Sequence, residues 1–321
     1  TTKHHPSSAA SDVYKRQIMM PKMIEAGYPK PFVIVLAASA ALLEALIPPS
    51  NAAILYSALT YVPVSQTFAA GVIPGLILIL FMIILVLFKC RNVQRYKPAT
   101  NYEKLVLGIK AFPALLTPLI ILGGIYGGFL TPSESAAVSG IWAIFMGFVI
   151  YRELKIKSLL QSVKDTAITT AVIFSIIAMA TFLSKVFTYT QFPQFIIKSI
   201  TEMGVGLNFF WFAMALICLI LGTFIEIVPV FYLTIPIFTA IILSFDQSLI
   251  HLYVVFVAFA GIGMITPPVC VGIYTSASVI KENPGKAFKE VPLFTAVGIL
   301  YGIIMILFPS LSTWLPAYLS G

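Results

Sequence analysis

Charge is what this sequence has least of. Only 10% of its 321 residues are Asp, Glu, Lys or Arg, against about 25% in a soluble domain, which excludes an ordinary water-soluble fold. Cysteine is scarce too: Cys90, Cys218 and Cys270 show no paired spacing, so neither a disulfide framework nor a thiolate metal site is encoded. Of the three histidines, His4 and His5 fall in a polar N-terminal stretch and His251 sits at the edge of an apolar run. An intramembrane hydrolase needs a nucleophile–base pair or metal ligands inside its spans. His251 has no partner motif, and the chain is not read as an enzyme. No arginine lies within an apolar run, so no guanidinium clamp for a carboxylate is visible. The net charge of +8 does not indicate nucleic acid, because the basic residues collect between apolar runs, which is a signal of membrane topology.

What is abundant is apolar. Hydrophobic residues make up 59% of the chain and the mean hydropathy is +0.98, as in an all-α polytopic membrane protein embedded in a lipid bilayer. Two apolar runs, 32–59 and 252–280, are interrupted by tandem prolines: LLEALIPPSN at 42–51, with Pro48 and Pro49, and GIGMITPPVC at 261–270, with Pro267 and Pro268. Each proline lacks an N–H and clashes with the preceding turn, so the helix must break. In hydrocarbon a break is tolerated only where the freed carbonyls face a protein-lined or watery cavity. Gly261 and Gly263 let another backbone or an ion come close. The upstream context repeats, with Pro21 before the first pair and Pro236 before the second. Interrupted segments at matching places in two halves point to a secondary transporter built from inverted repeats.

Residues 1–17 are polar and aperiodic and join abruptly to the apolar IMMPKM at 18–23; they read as a non-native or disordered tail. Residues 18–67 hold the end of a hairpin and the first broken helix. Residues 68–164 supply continuous spans at 68–88, 111–129 and 135–151. They also carry two basic amphipathic stretches, 89–110 and 152–164, expected at the interface. The LTPSE turn at 130–134 offers Thr131 or Ser133 as a helix cap. Residues 165–290 form a second repeat, with a span at 166–187, a short amphipathic segment at 194–202, a hairpin at 207–245 and the second broken helix at 247–280. Within the hairpin, arms 207–221 and 230–245 are joined by GTFIEIVP (222–229). Both arms fall below the ~20 residues of a full crossing, so the hairpin is expected to enter and leave on one face. A C-terminal span occupies 291–321. With the basic stretches placed in the cytoplasm, fifteen of the twenty Lys and Arg lie on that side; three are in the tail, and Lys185 and Lys198 are the exceptions.

Five stretches, in order, carry a family resemblance: IMMPKMIEAGY (18–28), LIPPS (46–50), GGFLTPSESAAV (127–138), GTFIEIVPVFYLTIPIF (222–238) and GIGMITPPVCVGIY (261–274). Through them the chain resembles the large membrane subunit, DctM type, of tripartite ATP-independent periplasmic (TRAP) transporters. The resemblance implies an elevator-type importer of small organic anions such as C4-dicarboxylates, driven by symport of sodium, in the bacterial inner membrane. It also implies two partners, a small four-helix membrane subunit and a periplasmic substrate-binding protein. Family members have further N-terminal spans, so the chain looks truncated, with the tail standing in for roughly the first quarter and half of one ion site missing.

Sodium takes hard oxygen ligands, and unwound carbonyls and half-helix C-terminal ends supply them without a full charge. With no other cofactor implied, the expected ion ligands are Gly222, Thr223, Glu226 and Val228 at the hairpin tip and Gly261, Gly263, Thr266 and Val269 at the second break. Leu46 and Ser50 are their counterparts at the first. Ser50, Asn51, Thr223 and Thr266 are also candidates to face substrate. An alternative for Thr266 is a back-bond to its own helix. Glu226 falls where the family carries a short acidic residue. Glu44 and Leu42 depart from it, since those positions are usually small. Glu44 is a candidate coupling acid that ligates sodium, carries a proton, or pairs with a lysine of another span or subunit. Two rival readings are a stand-alone sodium-coupled di- or tricarboxylate symporter and an inactive fragment or structural subunit. The first shows paired Ser-Asn-Thr motifs at its tips, which GTFIEIVP does not match.

Overall fold

A computed structural model describes residues 19–91, 93, 100–192, 194–195, 198 and 206–320. Every regular element among them is a helix. Among the described residues, six helices are long and apolar enough to cross a membrane, or up to eight if each bent pair counts as one span. The expected segment at 194–202 and the tail lie largely or wholly outside the described residues.

The described residues fall into two compact units, 100–171 and the remainder of those described. In the first, helices α4 (Asn101–Tyr126) and α5 (Pro132–Phe145) pair. Trp142 Nε1 donates to the Pro113 carbonyl at 3.0 Å and the Tyr151 hydroxyl to that of Lys110 at 2.9 Å. Both helices open on a capping box, Thr100 with Glu103 and Thr131 with Glu134, which satisfies two orphan N–H groups at each start. The cap of the LTPSE turn is therefore Thr131. Two boundaries differ from expectation. The amphipathic stretch at 101–110 is continuous with the span after it, and residues 156–164 are continuous with α6 (Ile156–Tyr189). An interfacial helix and a span share one 3.6-residue period, so nothing in the pattern marks where one ends.

The second unit contains both breaks. Helix α1 (Lys30–Leu46) stops at Pro48-Pro49 and α2 (Asn51–Thr60) resumes at 45°; α3 (Val64–Lys89) comes next. Later come α7 (Leu207–Phe224), α8 (Ile227–Ser244), α9 (Leu249–Gly263), the second break, and α10 (Val271–Val279). Helix α11 (Val291–Leu307) and α12 (Ser310–Ser320) close the chain. They are bent by 56° at 308–309. Helix α9 is apolar all round and buried from His251 to Gly263 without interruption, as a central helix should be. Aromatic rings line its flank: Phe231 stacks on Phe256 at 4.6 Å, and Tyr56 lies 5.1 Å from Tyr253.

Charge gathers at one end of this unit. Glu282, after α10, binds Lys30 at the start of α1 at 3.0 Å and Lys286 at 2.8 Å, and Glu290 binds Lys89 at the end of α3 at 3.0 Å. Three basic segments far apart in sequence thus share one face, as the positive-inside pattern requires. The Lys286 and Lys30 ammonium groups hold the Glu282 carboxyl down at about 2. A depressed carboxylate adds stability that is present above its ordinary value of 4.5 and is lost as pH falls from there toward 2. Glu282→Gln is therefore expected to flatten the acid limb. Between about pH 6 and about pH 3 the native thermal midpoint falls further than the variant's, and equal falls would refute the cluster.

Candidate functional site

The site is best built from the second break. Pro267 and Pro268 cannot donate to the carbonyls of Gly263 and Met264 four residues back. Those carbonyls turn elsewhere: Gly263 accepts from Thr266 N–H at 2.9 Å, and Met264 accepts from Gly272 N–H across the break at 3.2 Å. Cys270, in a left-handed conformation (φ 52°), carries the chain into α10 without a side-chain cap. Pro267, Pro268 and Val269 are exposed, while Gly261, Gly263 and Cys270 are buried.

The hairpin tip meets this break through backbone. A Cβ on Gly263 would lie 2.6 Å from the Leu219 carbonyl oxygen and 2.8 Å from Gly222 Cα; one on Gly222 would overlap the Ala260 carbonyl. Only glycine on both sides permits the approach. Its consequence is electrostatic. The C-terminal ends of α7 and α9 converge, and each brings the partial negative end of its helix dipole.

The tip itself is shorter than expected. In place of an open connection over 222–229, α7 runs to Phe224 and α8 begins at Ile227, leaving Ile225 and Glu226 between them. Gly222 does not end its helix because it serves as a contact, and Pro229 falls in a first turn, where its missing N–H costs nothing. Val228 is accordingly helical, with its carbonyl directed along α8 and its N–H toward the tip. Glu226 immediately precedes α8 and is half-buried, close to a positive helix end. Each arm is eighteen residues long and apolar enough to cross by itself, so arm length does not argue for re-entrance.

The hydroxyls behave alike. Thr266 Oγ1 donates to Ile262 O at 2.7 Å and lies 3.4 Å from Thr295 Oγ1; Thr223 Oγ1 donates to Ile220 O at 2.8 Å. Thr266 thus makes the back-bond. Each proton is committed to its own helix, which leaves each oxygen free to accept.

At the first break Ser50 is buried and caps α2, accepting from Ala53 N–H at 3.3 Å and donating to Ala45 O at 2.8 Å. Asn51 is exposed at the start of α2. Leu46 is buried, and a Cβ on Gly71 of α3 would overlap its carbonyl oxygen. Gly261 faces the Leu42 side chain, so the first broken helix touches α9 beside the second break. Glu44 lines a cavity of about 600 Å³ with Met20, Met23, Ala40, Ala41, Pro48 and Pro49, and it is the only acid there among the described residues. Sequence reasoning missed Tyr253, Thr295, Gly71 and the Leu42–Gly261 contact. Each depends on neighbours far along the chain, and only the small size of Gly71 left any local trace. Among the described residues no group of His, Cys, Asp and Glu could hold a metal ion through side chains alone.

Residues 7–311 match the family model described as the tripartite ATP-independent periplasmic transporter, DctM component. The chain is 34% identical over 337 residues to the C4-dicarboxylate TRAP transporter large permease protein DctM of Vibrio cholerae, covering 98% of this chain and 74% of that protein. It is 31% identical over 315 residues to the protein of the same name from Pseudomonas aeruginosa, with the same coverage. It is 28% identical over 311 residues to the ectoine TRAP transporter large permease protein TeaC of Halomonas elongata, covering 96% of this chain and 73% of that one.

Proposed function

The chain belongs to the DctM-component family of tripartite ATP-independent periplasmic transporters, and from that premise we propose that it is a large permease subunit importing small carboxylate anions by sodium symport. It works in the bacterial inner membrane with a small four-helix subunit and a periplasmic binding protein that delivers the substrate. The two inverted repeats form an elevator-type carrier in which 207–245 is a re-entrant hairpin. The relatives' names span C4-dicarboxylates and ectoine, and a carboxylate is the group those substrates share. The binding protein makes the finer choice among them.

One observation carries the reading: two helix C-terminal ends meet at Gly222 and Gly263 beside a proline-made break. Converging carbonyl ends favour a cation and need no carboxylate cage. Thr223 and Thr266 fit the same role, since a hydroxyl whose proton is held by its own helix offers lone pairs to sodium but no donor to a carboxylate. The anion is taken instead by the N-terminal ends of α2 and α10, with the exposed Asn51 amide as a side-chain donor. Glu44, the acid that lines the cavity beside the first break, is assigned to proton or cation coupling.

Uptake by proteoliposomes holding the complete native transporter tests this. Uptake requiring both an inward sodium gradient and the binding protein is the expected result. Uptake driven by protons alone, or independent of the binding protein, overturns it, and the second outcome favours the stand-alone symporter. In the same assay Thr266→Val is expected to raise the sodium concentration for half-maximal uptake about tenfold, the size of one lost ligand of roughly 1.4 kcal/mol. Thr266→Ser retains the oxygen and is expected to stay near the native value; equal effects of the two variants would remove Thr266 from the ion's ligands.

A further inference from the structure

Pro49 has no N–H to give to the carbonyl of Ala45, one helical turn back. Two hydroxyls take its place. Ser50 Oγ donates to that carbonyl at 2.8 Å, and so does the hydroxyl of Tyr253, reaching in from α9. All three residues are buried. The tie is reciprocated beyond the break, where Tyr56 of α2 donates to the Leu249 carbonyl at the start of α9 at 2.6 Å. The two tyrosine rings are 5.1 Å apart, with Phe231 of α8 flanking both. Helix α9 therefore grips the first broken helix on both sides of its break. From Tyr253 it continues without irregularity to Gly263, where it touches Gly222 and enters the second break.

Space filling does not explain Tyr253, since phenylalanine has the same ring. A hydroxyl in the apolar centre is costly unless bonded, and its partner is the one carbonyl that Pro49 leaves unserved. Resting on the transport reading above, we propose that Tyr253 is a positioning residue that holds the first break in register with the second, so that a single helix sets the carbonyl geometry at both. Removing the hydroxyl leaves Ala45 to Ser50 alone, both on the first broken helix, and Tyr56 then makes the remaining hydrogen bond between that helix and α9.

The test is a sodium titration of uptake in proteoliposomes containing the complete native transporter, comparing native protein with Tyr253→Phe and Tyr56→Phe. Each variant is expected to raise the half-saturating sodium concentration about fivefold to tenfold, the effect of one net hydrogen bond. The sodium dependence also becomes less steep, while the maximal rate stays within about twofold. A purely structural loss lowers the maximal rate at unchanged half-saturation, and that result overturns the proposal, as does a Tyr253→Phe curve that superimposes on the native one. If Tyr253→Phe fails to assemble, Tyr56→Phe is judged by the same two criteria. A native transporter indifferent to sodium is recognised before any variant is made and overturns the parent reading, and this inference with it.

Discussion

Gly263→Ala and Gly222→Ala are each expected to cut uptake at least about tenfold and to lower the thermal midpoint of the purified subunit, because an added methyl meets backbone. At Gly263 the new carbon would lie 2.6 Å from Leu219 O, 2.8 Å from Gly222 Cα and 2.9 Å from Gly222 C. None of these atoms can rotate away, so α7 and α9 must part, at the cost of about 1–3 kcal/mol typical of overpacking. That stability loss is bearable, whereas the separation acts where the carbonyl ends converge. Two controls fix the interpretation. At Gly261 the three nearest atoms all belong to the Leu42 side chain, which can turn where backbone cannot, so the effect of Gly261→Ala is milder. Gly108→Ala meets nothing within 4 Å and gains up to about 1 kcal/mol of helix propensity. Uptake of Gly263→Ala equal to that of Gly108→Ala would show that the contact has no functional weight.

The double variant Pro267→Ala/Pro268→Ala is expected to insert and fold yet lose about a hundredfold in uptake. Each proline disfavours a continuous helix by about 3 kcal/mol. With both gone, position 267 can donate to Gly263 O and position 268 to Met264 O, in competition with Thr266 N–H and Gly272 N–H, which hold those carbonyls now. The ladder of α9 then runs toward α10, and the two carbonyls exchange the partners of the break for those of a continuous helix. The signature is a thermal midpoint equal to or above the native one together with lost transport, a pairing that misfolding does not produce. Near-native uptake would mean that the break is not needed for the transport cycle.

Both breaks were legible in the sequence, because a tandem proline inside an apolar run has few readings. The hairpin tip was not. Gly222 and Pro229 look like helix punctuation, but Gly222 serves a packing contact and Pro229 sits where a helix tolerates it. The fusion of 101–110 with its span was invisible because amphipathic and transmembrane helices share a period. The end of α11 is marked by Pro309, directly before α12. Tyr253 was hidden most completely. Within an unbroken apolar run its hydroxyl carries no local mark, and its partner lies 208 residues away.

The centrality of α9 also has a consequence for synthesis. The helix on which α1, α3, α7 and α11 all pack occupies residues 249–263 of 321, so the ribosome delivers the core after most of the surface. Until then the first broken helix stands in the bilayer without Tyr253 to cover the Ala45 carbonyl, and Lys30 waits 252 residues for Glu282. The first half is therefore an unfinished substrate of the insertion machinery for most of translation. The interval before α9 is made is the stage at which a holding chaperone, or a protease, has its longest opportunity.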